Sequence, residues 1–181
     1  MILKQKRTRV FCKGLAWVLF LTISVLIFGF SHQTAEESSK VSQTVLSQLL
    51  EKFVSGYKEM PKTEQEALIN RYHSLIRKAA HLGIYALWGW SFTLLLFLYG
   101  KRRRTMAAMV LCGGFFYAGS DELHQIFTNG RAGMLSDVLI DTLGVALGFL
   151  SFFIFLKIAN YFLRNIKKTL TDEKIFSTII E

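Results

Sequence analysis

Four long apolar stretches, at about residues 15–30, 79–100, 106–127 and 135–156, constrain this chain more than any other feature in it. The last three are each about 22 residues, which at a helical rise of about 1.5 Å per residue spans a hydrocarbon core about 30 Å thick. Lipid offers no hydrogen bonds, so a crossing segment has to satisfy its own backbone, and the helix does this within one segment. The fold class expected is therefore all-α: a polytopic membrane protein with four transmembrane helices. Sixteen Phe against a single Pro suit helices that face lipid. The first stretch is shorter and follows the basic start Lys4, Lys6, Arg7, Arg9 and Lys13, as the apolar part of a signal peptide would. Ser31-His32-Gln33-Thr34 after it lacks a small-x-small cleavage site, so it is read as a retained span.

Basic residues orient the bundle. With the N-terminus, the turn Lys101-Arg102-Arg103-Arg104 and the tail after Leu156 in the cytoplasm, that side holds 14 of the 22 Lys and Arg. The rest lie mostly along one long loop, which counts for little. Between the short connections the contrast is four basic residues against Arg131 alone. Both termini are expected inside. The same distribution accounts for the formal charge of +9: the basic residues flank apolar segments, where they meet anionic lipid. They do not gather on one polar face, so the lipid bilayer is the expected partner and nucleic acid is not. Cys12 and Cys112 have no metal-ligand spacing, and no disulfide framework is expected.

The domain organisation is a basic cytoplasmic N-terminus over 1–14, a membrane domain over 15–156 and a basic amphipathic tail over 157–181. The outer loop, 31–78, carries two predicted amphipathic helices. Val41, Val45, Leu46, Leu49, Leu50, Phe53, Val54 and Tyr57 follow helical spacing until Pro61 breaks it. Thr63 to Glu66 then reads as a capping box opening a second helix, with Leu68, Ile69, Tyr72, Leu75 and Ile76 on one face. Both helices are expected on the outer leaflet or as a lid, and the second is expected to run into the membrane helix at Ala79.

The chemistry-bearing residues fall at matching heights. Counting up from Lys101, Arg104 and Lys157, Tyr85, Asp121 and Asp141 lie 16 or 17 residues away, and His81, His124 and Asp137 lie 20 away. These become two layers, about 24–26 Å and about 30 Å above the cytoplasmic boundary. Arg77, His81 and Tyr85 share one helix face, as do Tyr117, Asp121 and Gln125, and Asp137 and Asp141. A buried acid costs about 3 kcal/mol at the centre of a span on insertion scales, so it turns into the bundle and takes a partner. Lys78 and Arg131 are the candidate partners. The binding residues expected are Lys78, His81, Tyr85, Asp121, Glu122, His124, Gln125, Arg131, Asp137 and Asp141. His81, His124 and Asp121 are the candidates for catalysis.

Plainer readings stand beside these. Asp137 and Asp141 as partners of Arg131 and Lys78 would merely orient the hairpin. His81 and His124 as interfacial histidines need no further role, and His32 and His73 carry no specific signal. No metal or other cofactor is assigned; Asp121, Glu122, His124, Asp137 and Asp141 around a hard divalent cation is the weaker reading, since no metal spacing accompanies them. Gly144-x-x-x-Gly148 and Gly113-Gly114 point to close helix contacts.

Several pieces occur together in order: Phe30-Ser31-His32-Gln33 with Glu37-Ser38-Ser39; Arg77-Lys78-Ala79-Ala80-His81 through Tyr85; Asp121-Glu122-Leu123-His124-Gln125-Ile126-Phe127; Gly130-Arg131; and Asp137 through Gly144. On these the chain resembles the VanZ-like family of bacterial membrane proteins over about residues 15–156. The resemblance implies a multi-pass cell-membrane protein that lowers susceptibility to glycopeptide antibiotics such as teicoplanin, and it implies no reaction. Two functions follow. In the first, which is not enzymatic, Arg77, Lys78 and Arg131 hold the anionic group of a lipid-linked cell-wall precursor or of the antibiotic, while the acids order those cations. In the second, an interfacial enzyme uses His81 or His124 as base, a carboxylate to orient it and Arg131 to stabilise charge. A third is a helper that docks on another membrane protein through Gly144-x-x-x-Gly148 or the loop helices.

Overall fold

The computed structural model describes the backbone of residues 2–127 and 133–180, and the side chains of 7–127 and 133–166. Five α-helices carry most of these residues: α1 (Ile2–Ser31), α2 (Ala35–Phe53), α3 (Lys62–Leu98), α4 (Arg103–Ile126) and α5 (Leu135–Ile180). No strand occurs among the described residues. The all-α expectation is met.

Each boundary has a local cause. Thr34 opens α2 with a capping box: its hydroxyl accepts from the Glu37 N–H at 3.3 Å, and its own N–H donates to the Glu37 carboxylate at 2.8 Å. After Phe53 the chain turns through Gly56, at φ 79°, into a 3₁₀ turn over Tyr57–Glu59 that buries Tyr57. Gln65 locks this corner by donating to the Tyr57 and Met60 carbonyls, both at 3.0 Å. The box expected at Thr63–Glu66 does not form. Extended Pro61 sets the boundary, α3 begins at Lys62, and Thr63 already lies inside the first turn. From there α3 runs unbroken for 37 residues, about 55 Å, so the second loop helix and the following apolar stretch are one rod. Gly100, at φ 71°, lies just past the C-terminus of α3 and turns the chain, and the Lys101 N–H reaches back to the Leu96 carbonyl. The apolar stretch 135–156 and the basic tail are likewise one helix, of 46 residues.

By length and apolarity, three helices can cross a membrane: residues 7–31, 62–98 and 135–166. The expected fourth, α4, has the length, with 24 residues. It falls short in apolarity because it carries Arg103, Arg104, Asp121, Glu122, His124 and Gln125 among three glycines.

Helix α3 packs against each of the other four. Its closest seam is with α5, where backbones nearly touch. A Cβ on Gly148 would strike the Ala86 carbonyl, one on Gly144 would lie 2.5 Å from the Leu82 carbonyl, and one on Gly89 would strike the Val145 carbonyl. Gly114 of α4 seats against the Val145 side chain. The small-residue face of α5 is thus spent inside the molecule, which removes it as a docking surface for another protein. Beside an apolar core of Tyr85, Trp88, Val110, Val145 and Phe152, burial departs from that of a water-soluble bundle. Ser91, Thr93, Asp121, Glu122, Gln125 and Asp141 are buried, while large apolar side chains along α1, α4 and α5 are exposed. This is the build of a membrane protein.

Candidate functional site

The α3–α5 seam brings polar residues together near one end of the bundle. Asp141 of α5 is fully buried, and its Oδ2 lies 3.5 Å from Nδ1 of His81 on α3. Asp121 of α4 completes the group: one ligand-type atom from each of His81, Asp121 and Asp141 lies within 4.8 Å of the other two. Gln125, one turn further along α4, donates to Asp121 Oδ2 at 3.2 Å and sets that carboxylate's orientation. The wholly buried Tyr85, one turn below His81, stands close enough to Asp121 and Asp141 to feel both charges. Tyr85, Asp121 and Asp141, the lower of the two layers counted from the sequence, therefore meet in space, and His81 of the upper layer joins them.

The upper layer divides. Lys78 pairs with Asp137 at 3.4 Å, half in water, as a clasp between α3 and the first turn of α5. His124 turns away from the acids. Its ring stacks on Phe28 of α1, centroids 4.8 Å apart, and on His32 at 5.7 Å. Glu122 faces the α4–α5 connection, where one oxygen accepts the Met134 N–H at 2.9 Å. Arg131 lies outside the described residues.

Outside this cluster, a cavity of about 260 Å³ opens between α1, α2 and α3. Ile27, Phe30, Val41, Val45, Ile76 and Ile84 form its apolar walls, and Gln33, Ser38, Arg77 and His81 supply its polar edge. His81 belongs to both places. Its side chain is 26% exposed and borders the groove, while its Nδ1 faces a carboxylate that is 1% exposed. The arrangement joins a greasy slot to a buried acidic cluster through one imidazole.

The segment after α1 builds the slot's roof. Ser31 is buried, with its hydroxyl 3.5 Å from the Asp121 carbonyl; His32 takes the stack with His124; Gln33 and Ser38 face the slot; Glu37 caps α2. Ser24 is a residue that periodicity did not single out. Its hydroxyl accepts from Trp88 Nε1 at 3.0 Å and its carbonyl from the Tyr117 hydroxyl at 2.7 Å, tying α1 to α3 and α4. Trp88 and Tyr117 stack face to face at 5.3 Å. Tyr117 therefore belongs to this knot, although it shares a helix face with Asp121.

A family model described as VanZ/LLP1 matches residues 16–156, well over half of the chain. Comparison with curated proteins finds no match. Comparison with solved structures finds none either.

Proposed function

The chain belongs to the VanZ/LLP1 family, and from that premise we propose that it acts at the outer face of a bacterial cell membrane as a receptor for an acylated, anionic envelope amphiphile. The candidates are a lipid-linked cell-wall precursor and a lipid-tailed glycopeptide antibiotic, and holding either lowers susceptibility to the drug. In this reading α1, α3, α4 and α5 are four spans with both termini cytoplasmic. α4 is able to cross because its acids turn into the bundle, where α5 and α3 cover them. α2 lies along the outer leaflet, with Val41, Val45, Leu49 and Phe53 exposed to it at four-residue spacing.

The observation that carries this reading is the apolar groove bordered by Arg77 and His81. An acyl chain fits the slot between α1, α2 and α3. The guanidinium offers two parallel donors to a phosphate or carboxylate at its edge, and Asp137 holds Lys78 nearby. Val45→Trp fills the slot, and Arg77→Ala removes the anchor. Each is expected to return teicoplanin and daptomycin susceptibility to the level of cells lacking the protein, at unchanged amounts of protein in the membrane. Unaltered susceptibility in both variants would sink the reading.

The enzyme alternative draws support from one contact, a partly exposed imidazole facing a buried carboxylate. This is the arrangement that orients a general base, with His81 as base and Asp141 as its partner. His124 is the poorer candidate because its ring stacks on Phe28 and His32, away from the acids. A new or missing lipid-linked species in the mass spectrum of expressing cells, absent with His81→Ala, marks the enzyme. Identical lipid profiles beside altered susceptibility mark the receptor.

A further inference from the structure

We propose that His81, Asp121 and Asp141 form a binding site for a divalent transition-metal ion of the zinc or manganese type. Three helices deliver the set, one residue each from α3, α4 and α5, and their ligand-type atoms already lie within 4.8 Å of one another. The glycine seam that brings α3 backbone to backbone with α5 also sets His81 against Asp141, so the site stands on a close helix contact.

Burial favours a bound cation here in a way that exposure of an acidic patch does not. Asp141 is 0% exposed, and neither of its oxygens has a hydrogen-bond partner among the described residues. The Tyr85 hydroxyl beside it, equally buried, has none either. No Lys or Arg among the described residues pairs with Asp121 or Asp141; the nearby Lys78 is engaged by Asp137. Two carboxylates held in a low-dielectric interior without a fixed positive charge are strongly unfavourable, and a divalent ion cancels both at once.

The donor set selects the ion. One imidazole nitrogen with two carboxylate oxygens is too few and too mixed for calcium, which takes six to eight oxygens, and suits zinc or manganese. Ligands about 2.1 Å from a tetrahedral ion stand about 3.4 Å apart, so the side chains close by about 1 Å on loading. Gln125 supplies the outer support, holding Asp121 at 3.2 Å as amides and carboxylates hold ligands in metal sites generally. Three protein ligands leave one position open, and His81 lies at the edge of the groove.

This inference does not depend on what the groove binds, and its test contains no amphiphile. The full chain, purified in detergent and stripped with chelator, is titrated with Zn²⁺ and with Mn²⁺ by calorimetry, and bound metal is counted by elemental analysis. One equivalent is expected for the wild type, together with a rise in Tm. Asp141→Asn and His81→Ala should weaken binding at least 100-fold, and Gln125→Ala roughly 10- to 100-fold. His81 is partly exposed, so its variant keeps the test informative should Asp141→Asn fail to fold. Folded wild type that takes up neither ion overturns the proposal, as does equal uptake by His81→Ala.

Discussion

The two seams that α3 makes, with α5 on one side and with α1 on the other, are built on opposite principles. Against α5 the contact is backbone on backbone: Gly89, Gly144 and Gly148 leave no room for a single added carbon. Against α1 the contact runs through side chains, with Ser24, Phe20, Trp88 and Phe92 meeting in hydrogen bonds and ring stacks. Gly14 and Gly29 of α1 would meet nothing within 4 Å if they carried a Cβ. The tight seam holds the buried acids and His81 in register. The loose one leaves the slot between α1, α2 and α3. One helix thus has a side that fixes geometry and a side that leaves space, and His81 sits where the two meet.

The hardest blow to this contrast is aimed at the tight seam. Gly148→Leu puts a branched side chain into the Ala86 carbonyl, and no rotamer avoids it because the obstacle is backbone. A loss of more than about 3 kcal/mol is expected, seen as little folded protein in the membrane and a sharply lowered Tm. Gly14→Leu on α1 is the matched control and should leave both unchanged. Similar losses from the two would mean that the seams do not differ. A smaller effect is expected on the loose side. Ser24→Ala orphans the Trp88 N–H but leaves the Tyr117 bond to the Ser24 carbonyl intact, a cost of about 1 kcal/mol in thermal melts.

What was legible in the sequence tracks this same division. Depth along a helix is a count of residues, so the meeting of Tyr85, Asp121 and Asp141 was readable from the spacing to Lys101, Arg104 and Lys157 alone. The glycine seam was readable too, as Gly144-x-x-x-Gly148, though not its partner on α3. Rotation about a helix axis relative to a neighbour is a different matter. It is set by which side chains interlock, and nothing in the spacing said that His124 would turn to Phe28 and His32 while Asp121, three residues earlier, faced His81. The slot was hidden for a related reason. The apolar stripe of α2 left open whether it would face the leaflet or lid the bundle, and α2 turns Ser38, Ser42 and Leu46 inward while Val41 and Val45 stay half exposed along the groove. In lipid, an apolar stripe no longer says which way is in. The capping box was misplaced because Pro61, two residues before Thr63, sets the helix boundary, whereas Thr34 and Glu37 had the same pattern in the short segment after α1.

That segment gives the gentlest test, because α2 covers the loose side and its N-terminus is held by the Thr34–Glu37 exchange. The Thr34 N–H and then its hydroxyl donate to the Glu37 carboxylate and hold it below its ordinary value of 4.5, with a smaller contribution from His32. A lowered carboxylate supports the cap above the ordinary range and loses that support as pH falls through the lowered value. Thr34→Ala should therefore speed amide exchange in the first turn of α2 by roughly fivefold at neutral pH. The wild type should approach the variant only when the pH drops below the ordinary carboxylate value of 4.5. Exchange along α3 and α5 should not change in either case, because the glycine seam does not involve the cap. If Thr34→Ala instead loosened α5, the roof and the rigid seam would be one cooperative unit, and the slot could not open without disturbing His81 and Asp141.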